Sequence, residues 1–367
     1  MNETINKRQL SIMFLFILPI SKLMLLPTLM SYVAGRDSYL AVIFIMAADI
    51  LILWLIVRFI KTSPESEFNG FLNSNFGKTA SKIILFSYGI LFLIKSLPLM
   101  LEQKLLLENT FYESFPLIIS FIPFFFLIFF IAIKGAKVIG RTSELFWVLI
   151  LISFVIVVAF SFGKADFKNI LPIGYNGVSP IAKAVFSFIQ YFGDYIILFA
   201  FMGKIDKDKS FKKIFISAGV VAGMVILVFL IFTAIFGDVA IRQTYAITKI
   251  SKYSLAVSEL GRFDFIAILL LLSGSLFHSA VLLFASSEMF RQAFNLKKRK
   301  WVLIALIIFL VIGVFIFASK YFMLNAFYAK YLNYFFIIMQ YFVPVIIAAP
   351  ILIKRKSFKK KTAGGRI

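Results

Sequence analysis

The sequence contains no cysteine and only 1 histidine among its 367 residues. The absence of cysteine excludes a disulfide framework, a thiol nucleophile and a thiolate metal site, and one histidine leaves too few ligands for a typical transition-metal site. No glycine-rich phosphate loop is present, which argues against ATP-driven transport. No Ser/His/Asp arrangement indicates hydrolysis. The sequence therefore predicts neither an enzyme nor a bound metal or cofactor.

Charged residues are also scarce, at 15% of the chain, whereas soluble domains contain about 25%. Hydrophobic residues make up 61%, and the formal net charge is +22. In a soluble chain that charge would indicate nucleic-acid binding. Here the Lys and Arg residues lie mainly between apolar runs, where they orient a membrane protein and meet anionic lipid headgroups. We expect a lipid bilayer as the partner of these charges, and no nucleic acid.

Apolar runs of about 20 residues recur along the whole chain, and each is long enough to cross a hydrocarbon core of about 30 Å. They predict an all-α polytopic membrane protein of about ten transmembrane helices, forming a single transmembrane domain over 1–367. We refer to these runs as spans 1 to 10, and they cover residues 9–33, 38–60, 80–106, 115–133, 144–162, 183–204, 212–236, 263–290, 301–319 and 328–352.

Basic residues are concentrated in every second loop and at both ends of the chain. The positive-inside rule then places both termini in the cytoplasm, which requires an even number of spans. The C-terminal stretch 353–367 is read as a basic cytoplasmic tail that fixes topology and binds headgroups.

Ten spans divide into five and five, the arrangement of secondary transporters with inverted repeats, in which the first helix of each half is broken near the bilayer midplane. The predicted repeats are about 9–162 and 183–352. Pro19 and Pro27 predict a break in span 1, because proline removes a backbone donor and clashes with the preceding turn. Gly193 and Asp194 predict a corresponding break at the centre of span 6, because glycine supplies a flexible point and aspartate a charge at the same depth. The alternative to a broken-helix binding site is that these residues cause only a tolerated kink and an interhelical polar contact.

The candidate ligand-binding residues lie at these two breaks and on span 3. Ionisable residues inside membrane spans are costly, and they usually face the bundle interior or a cavity. The predicted ligand-binding residues are Pro19, Ile20, Ser21, Lys22, Lys95, Tyr191, Gly193 and Asp194.

Asp49, His278 and Glu102 are predicted to serve as coupling or structural charges. For the buried lysines two alternatives stay open. Either lysine pairs with Asp49 or Asp194 and holds helices together, or one lysine replaces a coupling cation by gaining and losing a proton.

Several short segments resemble those of a known family when their order and spacing are taken together. They are Ala34-Gly35-Arg36-Asp37-Ser38, Phe76-Gly77-Lys78, Val138-Ile139-Gly140-Arg141 followed by Glu144-Leu145-Phe146, and Asn169-Ile170-Leu171-Pro172 with Gly177 and Pro180. This pattern is similar to the spore germination permeases, the membrane-embedded B subunits of germinant receptors in the amino acid/polyamine/organocation transporter superfamily.

The resemblance implies a subunit that binds a small germinant, typically an amino acid, in the endospore inner membrane, together with partner A and C subunits. Lys22 departs from the superfamily pattern, because it stands where glycine is usual and so supplies a positive charge for a carboxylate. The function expected is therefore a germinant-receptor subunit that signals to its partners. The alternative is a stand-alone proton-coupled amino acid transporter in the cell membrane.

Overall fold

The structure is a computed structural model that describes residues 4–63, 65, 67–111, 117–205, 211–252 and 264–350. Within these ranges the chain is almost entirely helical, and its one β-type contact is a parallel bridge between Ile5 and Ile205. The all-α class expected from the sequence is thus confirmed. The predicted basic tail 353–367 lies outside the described residues.

Fourteen helices are labelled here in chain order. They are α1 Lys7–Ile17, α2 Ile20–Leu23, α3 Leu26–Ala34, α4 Ser38–Thr62, α5 Phe68–Phe111, α6 Leu117–Lys134, α7 Ala136–Ser161, α8 Val178–Ser187, α9 Leu198–Phe201, α10 Lys212–Phe236, α11 Ala246–Lys252, α12 Asp264–Ala293, α13 Arg299–Ile316 and α14 Tyr321–Pro350. Short 3₁₀ turns connect several of them, and two π-helical turns, Tyr328–Leu332 and Ile338–Phe342, lie inside α14.

By length and composition, the described part of the chain contains seven helices able to cross a membrane. An eighth span is formed if the pair Val178–Ser187 and Ile189–Lys204, which is bent by 50°, counts as one. The shorter apolar helix Phe121–Lys134 and the interrupted helices α1 to α3 correspond to spans 4 and 1. A polytopic membrane protein is therefore shown, whereas the count of ten spans stays a prediction.

Several helix boundaries differ from those predicted by hydropathy. Helix α5 begins at Phe68 rather than near residue 80, with a turn at Gly77, where φ is 82°. Helix α7 begins at Ala136 and α14 at Tyr321, both earlier than expected. These extensions contain polar residues, which lower the apolar average of a sequence window but do not prevent helix formation.

The polar segment after span 7 also contains more helix than expected. Residues 237–262 lie between the predicted spans 7 and 8, yet the described part of this segment holds a 3₁₀ segment, Gly237–Arg242, and the helix α11. The backbone N–H of Ala246 donates to the carbonyl of Met24, 3.1 Å away, so this segment packs against the interrupted first span.

Helices α5 and α12 pack side by side through the centre of the bundle, and α12 also contacts α6, α7 and α13. Small residues allow this approach. A Cβ atom on Gly89 would lie 2.9 Å from the ring of Phe290, and one on Gly274 would lie 2.5 Å from Ile20 Cδ1. Close packing at glycine is a usual means of helix association in lipid, and here it brings α12 against the break in span 1.

One end of the bundle is held by a buried carboxylate, that of Glu288 on α12. Its side chain is only 3% exposed, and it lies 3.0 Å from Lys204 Nζ and 2.6 Å from Arg291 Nη2. Arg299 adds a third cation, and its guanidinium also donates to the carbonyls of Ala132 and Ile133 at the end of α6. This Glu288 cluster therefore joins spans 4, 6, 8 and 9.

The opposite end is closed by the segments that follow spans 1 and 7. Asp37 accepts hydrogen bonds from the backbone N–H groups of Gly174 and Asn176, at 2.8 and 3.1 Å. Arg36 pairs with Asp238, with Nε 2.7 Å from Oδ1. Spans 1 and 6 run antiparallel, since Ile5 meets Ile205 at one end and Ala34 meets Asn176 at the other.

We expect Glu288→Gln to lower the thermal unfolding midpoint of the detergent-solubilised protein by about 5 °C or more, because breaking a buried ion pair costs several kcal/mol. Glu144→Gln is the control, since its ion pair with Arg8 is far more exposed than the Glu288 cluster, at 29% for Glu144 and 63% for Arg8, and a pair of that kind contributes less. Equal midpoints for the two variants would contradict the role assigned to the Glu288 cluster.

Candidate functional site

The first span is interrupted twice near its centre. Helix α1 ends at Ile17, the single turn α2 covers Ile20–Leu23, and α3 begins at Leu26 after an irregular residue, Met24, with φ −80° and ψ −104°. Proline explains both positions, because Pro19 directly precedes α2 and Pro27 is one of the first residues of α3, where a missing N–H costs nothing.

The sixth span is interrupted at Phe192 and Gly193. Phe192 is extended, with φ −115° and ψ −169°, and Gly193 is left-handed, with φ 73°. Glycine adopts this conformation without the steric penalty that a Cβ atom brings. The backbone then continues as a 3₁₀ turn, Asp194–Ile197, so the carboxylate of Asp194 leaves the chain directly after the break.

Two lysines meet Asp194 in the interior. Lys22 Nζ lies 3.0 Å from Oδ2, and Lys95 Nζ lies 2.6 Å from Oδ1. None of the three side chains is more than 7% exposed. We call these residues the ion triad. It joins spans 1, 3 and 6, so the pairing alternative of the sequence analysis is present for both lysines, with Asp194 and not Asp49 as the shared partner.

The lysines also bind backbone groups that the breaks set free. Lys22 Nζ donates to the carbonyl of Leu18 at 3.0 Å and to Ser21 Oγ at 3.4 Å. Lys95 Nζ donates to the carbonyl of Phe192 at 2.6 Å. An ammonium group has three N–H donors. Lys22 has three partners, whereas Lys95 has two among the described residues, which leaves one N–H for a further acceptor.

Asp49, on span 2, accepts the backbone hydrogen bond that the break in span 6 leaves free. Both of its carboxylate oxygens lie 3.1 Å from the backbone nitrogen of Gly193, and Oδ1 accepts a hydrogen bond of 2.6 Å from the hydroxyl of Tyr341. Since a buried backbone N–H without a partner is costly, Asp49 stabilises the left-handed turn.

A small cavity lies beside the ion triad, with a volume of about 30 Å³. One water needs about 10–15 Å³ on this scale, so the cavity holds water but not an amino acid. Four of the predicted ligand-binding residues line it, together with two predicted as coupling or structural charges. These six residues are Ser21, Lys95, Tyr191, Asp194, Glu102 and His278.

The other predicted site residues are not among those that line the cavity. Pro19 and Gly193 shape the breaks, Ile20 packs on Gly274, Lys22 completes the ion triad, and Asp49 binds Gly193. Their assignment to ligand binding stays a prediction.

The cavity wall also contains residues that the sequence analysis did not single out. They are Pro98, Leu99, Gln190, Leu282, Tyr328 and Phe336. Pro98 and Leu99 follow Lys95 by three and four residues, so the helical repeat of α5 indicates that they share its face. Tyr328 and Phe336 belong to span 10, whose one Lys, Arg, Asp, Glu or His residue, Lys330, lies at its beginning and so did not mark the span as part of an interior site.

Glu102 and His278 lack the partners that buried polar groups normally have. Tyr321 donates its hydroxyl proton to Glu102 Oε1, while Oε2 has no hydrogen-bond partner among the described residues. Neither ring nitrogen of His278 has one within the same residues. Both side chains line the cavity, so two residues with unfilled hydrogen-bonding capacity border it.

The segments that carry the family resemblance lie away from this cavity, at tight turns and helix contacts. Gly35 has φ 60°, and a Cβ atom there would lie 2.3 Å from Asn176 Nδ2. Gly140 packs against Ile5 with a corresponding distance of 2.9 Å. Asn169 donates to the carbonyl of Ala234 at 2.9 Å. These residues hold the helix ends together and do not line the cavity.

Comparison with known proteins identifies a family and a similar curated protein. Residues 4–322 match a family model described as "Spore germination protein". The chain is also similar to Spore germination protein KB of Bacillus subtilis (strain 168), with 24% identity over 288 residues, which is 77% of this chain and 76% of that protein.

We expect Gly193→Ala to destabilise the break in span 6. A left-handed residue with a Cβ atom costs about 1–2 kcal/mol, and the added atom would lie 2.7 Å from Gln340 Oε1. Gly219→Ala is the matched control, because a Cβ atom there meets nothing within 4 Å. A lower thermal midpoint in detergent for Gly193→Ala alone is the expected result, and unchanged midpoints for both variants would contradict it.

Proposed function

Since the chain belongs to the spore germination protein family, we propose that it is the membrane-embedded subunit of a germinant receptor and binds a small nutrient, an amino acid, in the cavity beside the ion triad. The observation that carries the proposal is the ion triad itself. Lys22, Lys95 and Asp194 join both broken spans at one buried point, and Lys95 and Asp194 line the cavity beside it.

The charges at this point suit a ligand with an anionic group. The two ammonium groups and one carboxylate of the ion triad by themselves leave one positive charge. The carboxylate of Asp49 also interacts with Lys22 and Lys95 but does not line the cavity, whereas Lys95 lines it and keeps one N–H donor. A carboxylate accepts such charge-assisted hydrogen bonds well. The carboxylate of an amino acid would thus bind Lys95 and balance the charge of the ion triad.

Ligand entry requires the bundle to move, because a cavity of about 30 Å³ is too small for an amino acid. Both ends of the bundle are closed, by the Glu288 cluster at one end and by Arg36 and Asp37 at the other. A ligand that binds the expanded conformation more tightly shifts the population toward it. In the proposed receptor this shift is the signal passed to the partner A and C subunits.

The proposal includes the remaining sequence-based expectations. We place the protein in the endospore inner membrane with both termini in the cytoplasm, and we divide its spans into two inverted repeats of five, about 9–162 and 183–352. The breaks in spans 1 and 6 support this division, because they occur in the first span of each half.

We expect Asp194→Asn and Lys95→Met to abolish the germination response to amino acids while the protein remains in the membrane. Asp194→Asn removes the anion between two buried ammonium groups, and Lys95→Met removes the free N–H donor. Germination of spores carrying each variant is measured against an amino acid panel, with membrane levels determined by immunoblot. Lys82→Ala, on an exposed face of the same helix as Lys95, is the control.

Normal germination by both variants would refute the site assignment. The stand-alone transporter is tested separately with the purified chain in proteoliposomes. Amino acid uptake driven by a proton gradient, without A and C subunits, would support the transporter and count against a purely sensing role.

A further inference from the structure

Glu102 is a buried carboxyl group without a cationic partner. The residue is 1% exposed, and Tyr321 donates to its Oε1 atom. No Lys, Arg or His among the described residues forms a salt bridge with it, and its Oε2 atom has no hydrogen-bond partner there. Lys104, two residues along the same helix, pairs with Glu108 at 3.0 Å instead. Because buried carboxylates are normally paired, a cation that enters the cavity would find an unfilled site here.

Gln190 supplies a second acceptor in the same wall of the cavity. Its Nε2 atom donates to Asn325 Oδ1 at 2.6 Å, and this bond fixes the amide so that Oε1 is the remaining acceptor. Among the described residues Gln190 Oε1 has no partner. The hydroxyls of Tyr191 and Tyr321 are 2.8 Å apart and are engaged with each other and with Glu102. This end of the cavity therefore offers acceptors to a ligand that brings N–H donors.

The cavity is polarised along α5. Lys95 and Glu102 are seven residues apart on that helix, so their backbone positions are separated by two turns, about 10.5 Å along the axis, and both side chains border the same cavity. Pro98 and Leu99 line the cavity between them on the same face. One pole carries the excess positive charge of the ion triad and the other carries the carboxyl group of Glu102. A zwitterion in this cavity has only one favourable orientation.

The broken backbone does not provide a competing site for the cationic group. The carbonyls of Leu18 and Phe192, at the breaks in spans 1 and 6, already accept hydrogen bonds from Lys22 and Lys95. Each carbonyl keeps a second lone pair, but an ammonium group that approached either one would be repelled by the lysine already bound there. A side-chain carboxyl group without a cationic partner is therefore the more favourable site for the cation.

We propose that Glu102 and Gln190 form a subsite for the primary ammonium group of the ligand, which lies along α5 with its carboxylate toward Lys95. This inference rests on the proposed function, because it assigns the two ends of an amino acid to the two poles of the same cavity. Glu102 recognises the charge of the ammonium group, and Gln190 accepts one of its N–H donors.

The test uses the purified full chain in lipid nanodiscs and the twenty proteinogenic L-amino acids as probes, measured by calorimetry. The amino acid that binds most tightly is compared with the hydroxy acid that has a hydroxyl in place of its amino group. We expect the wild-type chain to prefer the amino acid by about 10- to 100-fold, the range of a hydrogen bond to a charged group. Glu102→Gln should lose most of this preference while still binding the hydroxy acid.

The matched control is Glu108→Gln, which removes the same charge from the same helix at a partly exposed ion pair outside the cavity. It should keep the wild-type preference. If Glu102→Gln does not fold, the subsite is tested by the preference of the wild-type chain for the amino acid over the hydroxy acid and by the same preference in Gln190→Leu. Equal binding of the amino acid and the hydroxy acid by the wild-type chain, or an unchanged preference in Glu102→Gln, would overturn the subsite.

The two proposals fail in different ways. If no L-amino acid binds, the amino acid function fails, and the subsite is then tested alone with the primary amines from propylamine to pentylamine. Amine binding that Glu102→Gln weakens about 10-fold or more would support the subsite without that function. Absence of amine binding, or binding that Glu102→Gln leaves unchanged, would overturn it.

Discussion

The carboxylate of Asp194 is the centre on which the interior of the bundle depends. Each buried ammonium group of Lys22 and Lys95 would be costly in an apolar interior without an anion beside it. Asp194 serves both, at 3.0 and 2.6 Å. A single acid between two bases on separate spans fixes the relative position of three spans. Its place directly after the left-handed Gly193 means that the same contacts also fix the break in span 6.

The breaks in the first and sixth spans are stabilised by side chains of the chain itself. Interrupting a helix in a membrane leaves carbonyls and N–H groups that lipid cannot satisfy. Lys22 and Lys95 bind the carbonyls of Leu18 and Phe192, and Asp49 binds the N–H of Gly193. Charge neutralisation and backbone satisfaction are therefore achieved by the same residues, so neither can change without the other.

Hydropathy and charge predicted much of this arrangement. The apolar runs indicated the helices, Pro19 and Gly193 marked the two breaks, and the rarity of ionisable residues inside spans identified the members of the ion triad. These signals are local, because a long apolar run or a proline acts on the backbone where it stands. For the same reason, they located the interior residues without any knowledge of the fold.

The sequence could not predict which residues of the ion triad pair with each other, because the pairing depends on contacts between distant spans. Either lysine was equally compatible with Asp49 or Asp194, and Glu288 resembled an ordinary charge at a helix end. The contribution of helix α14 was missed for a related reason. Tyr321, Tyr328 and Tyr341 look like lipid-facing aromatics until the fold brings them to Glu102, Ile94 and Asp49.

The segments that carry the family resemblance lie apart from the cavity in which we propose that the ligand binds. Gly35, Gly140 and Asn169 act where helix ends pack closely, so their residue types are dictated by sterics and backbone hydrogen bonding. The cavity is lined by other residues, Glu102 and Gln190 among them. Within the proposed function, a receptor of this design can change its ligand by substituting cavity residues while the shell and the ion triad remain as they are, because specificity is a difference in affinity that side chains in the cavity determine.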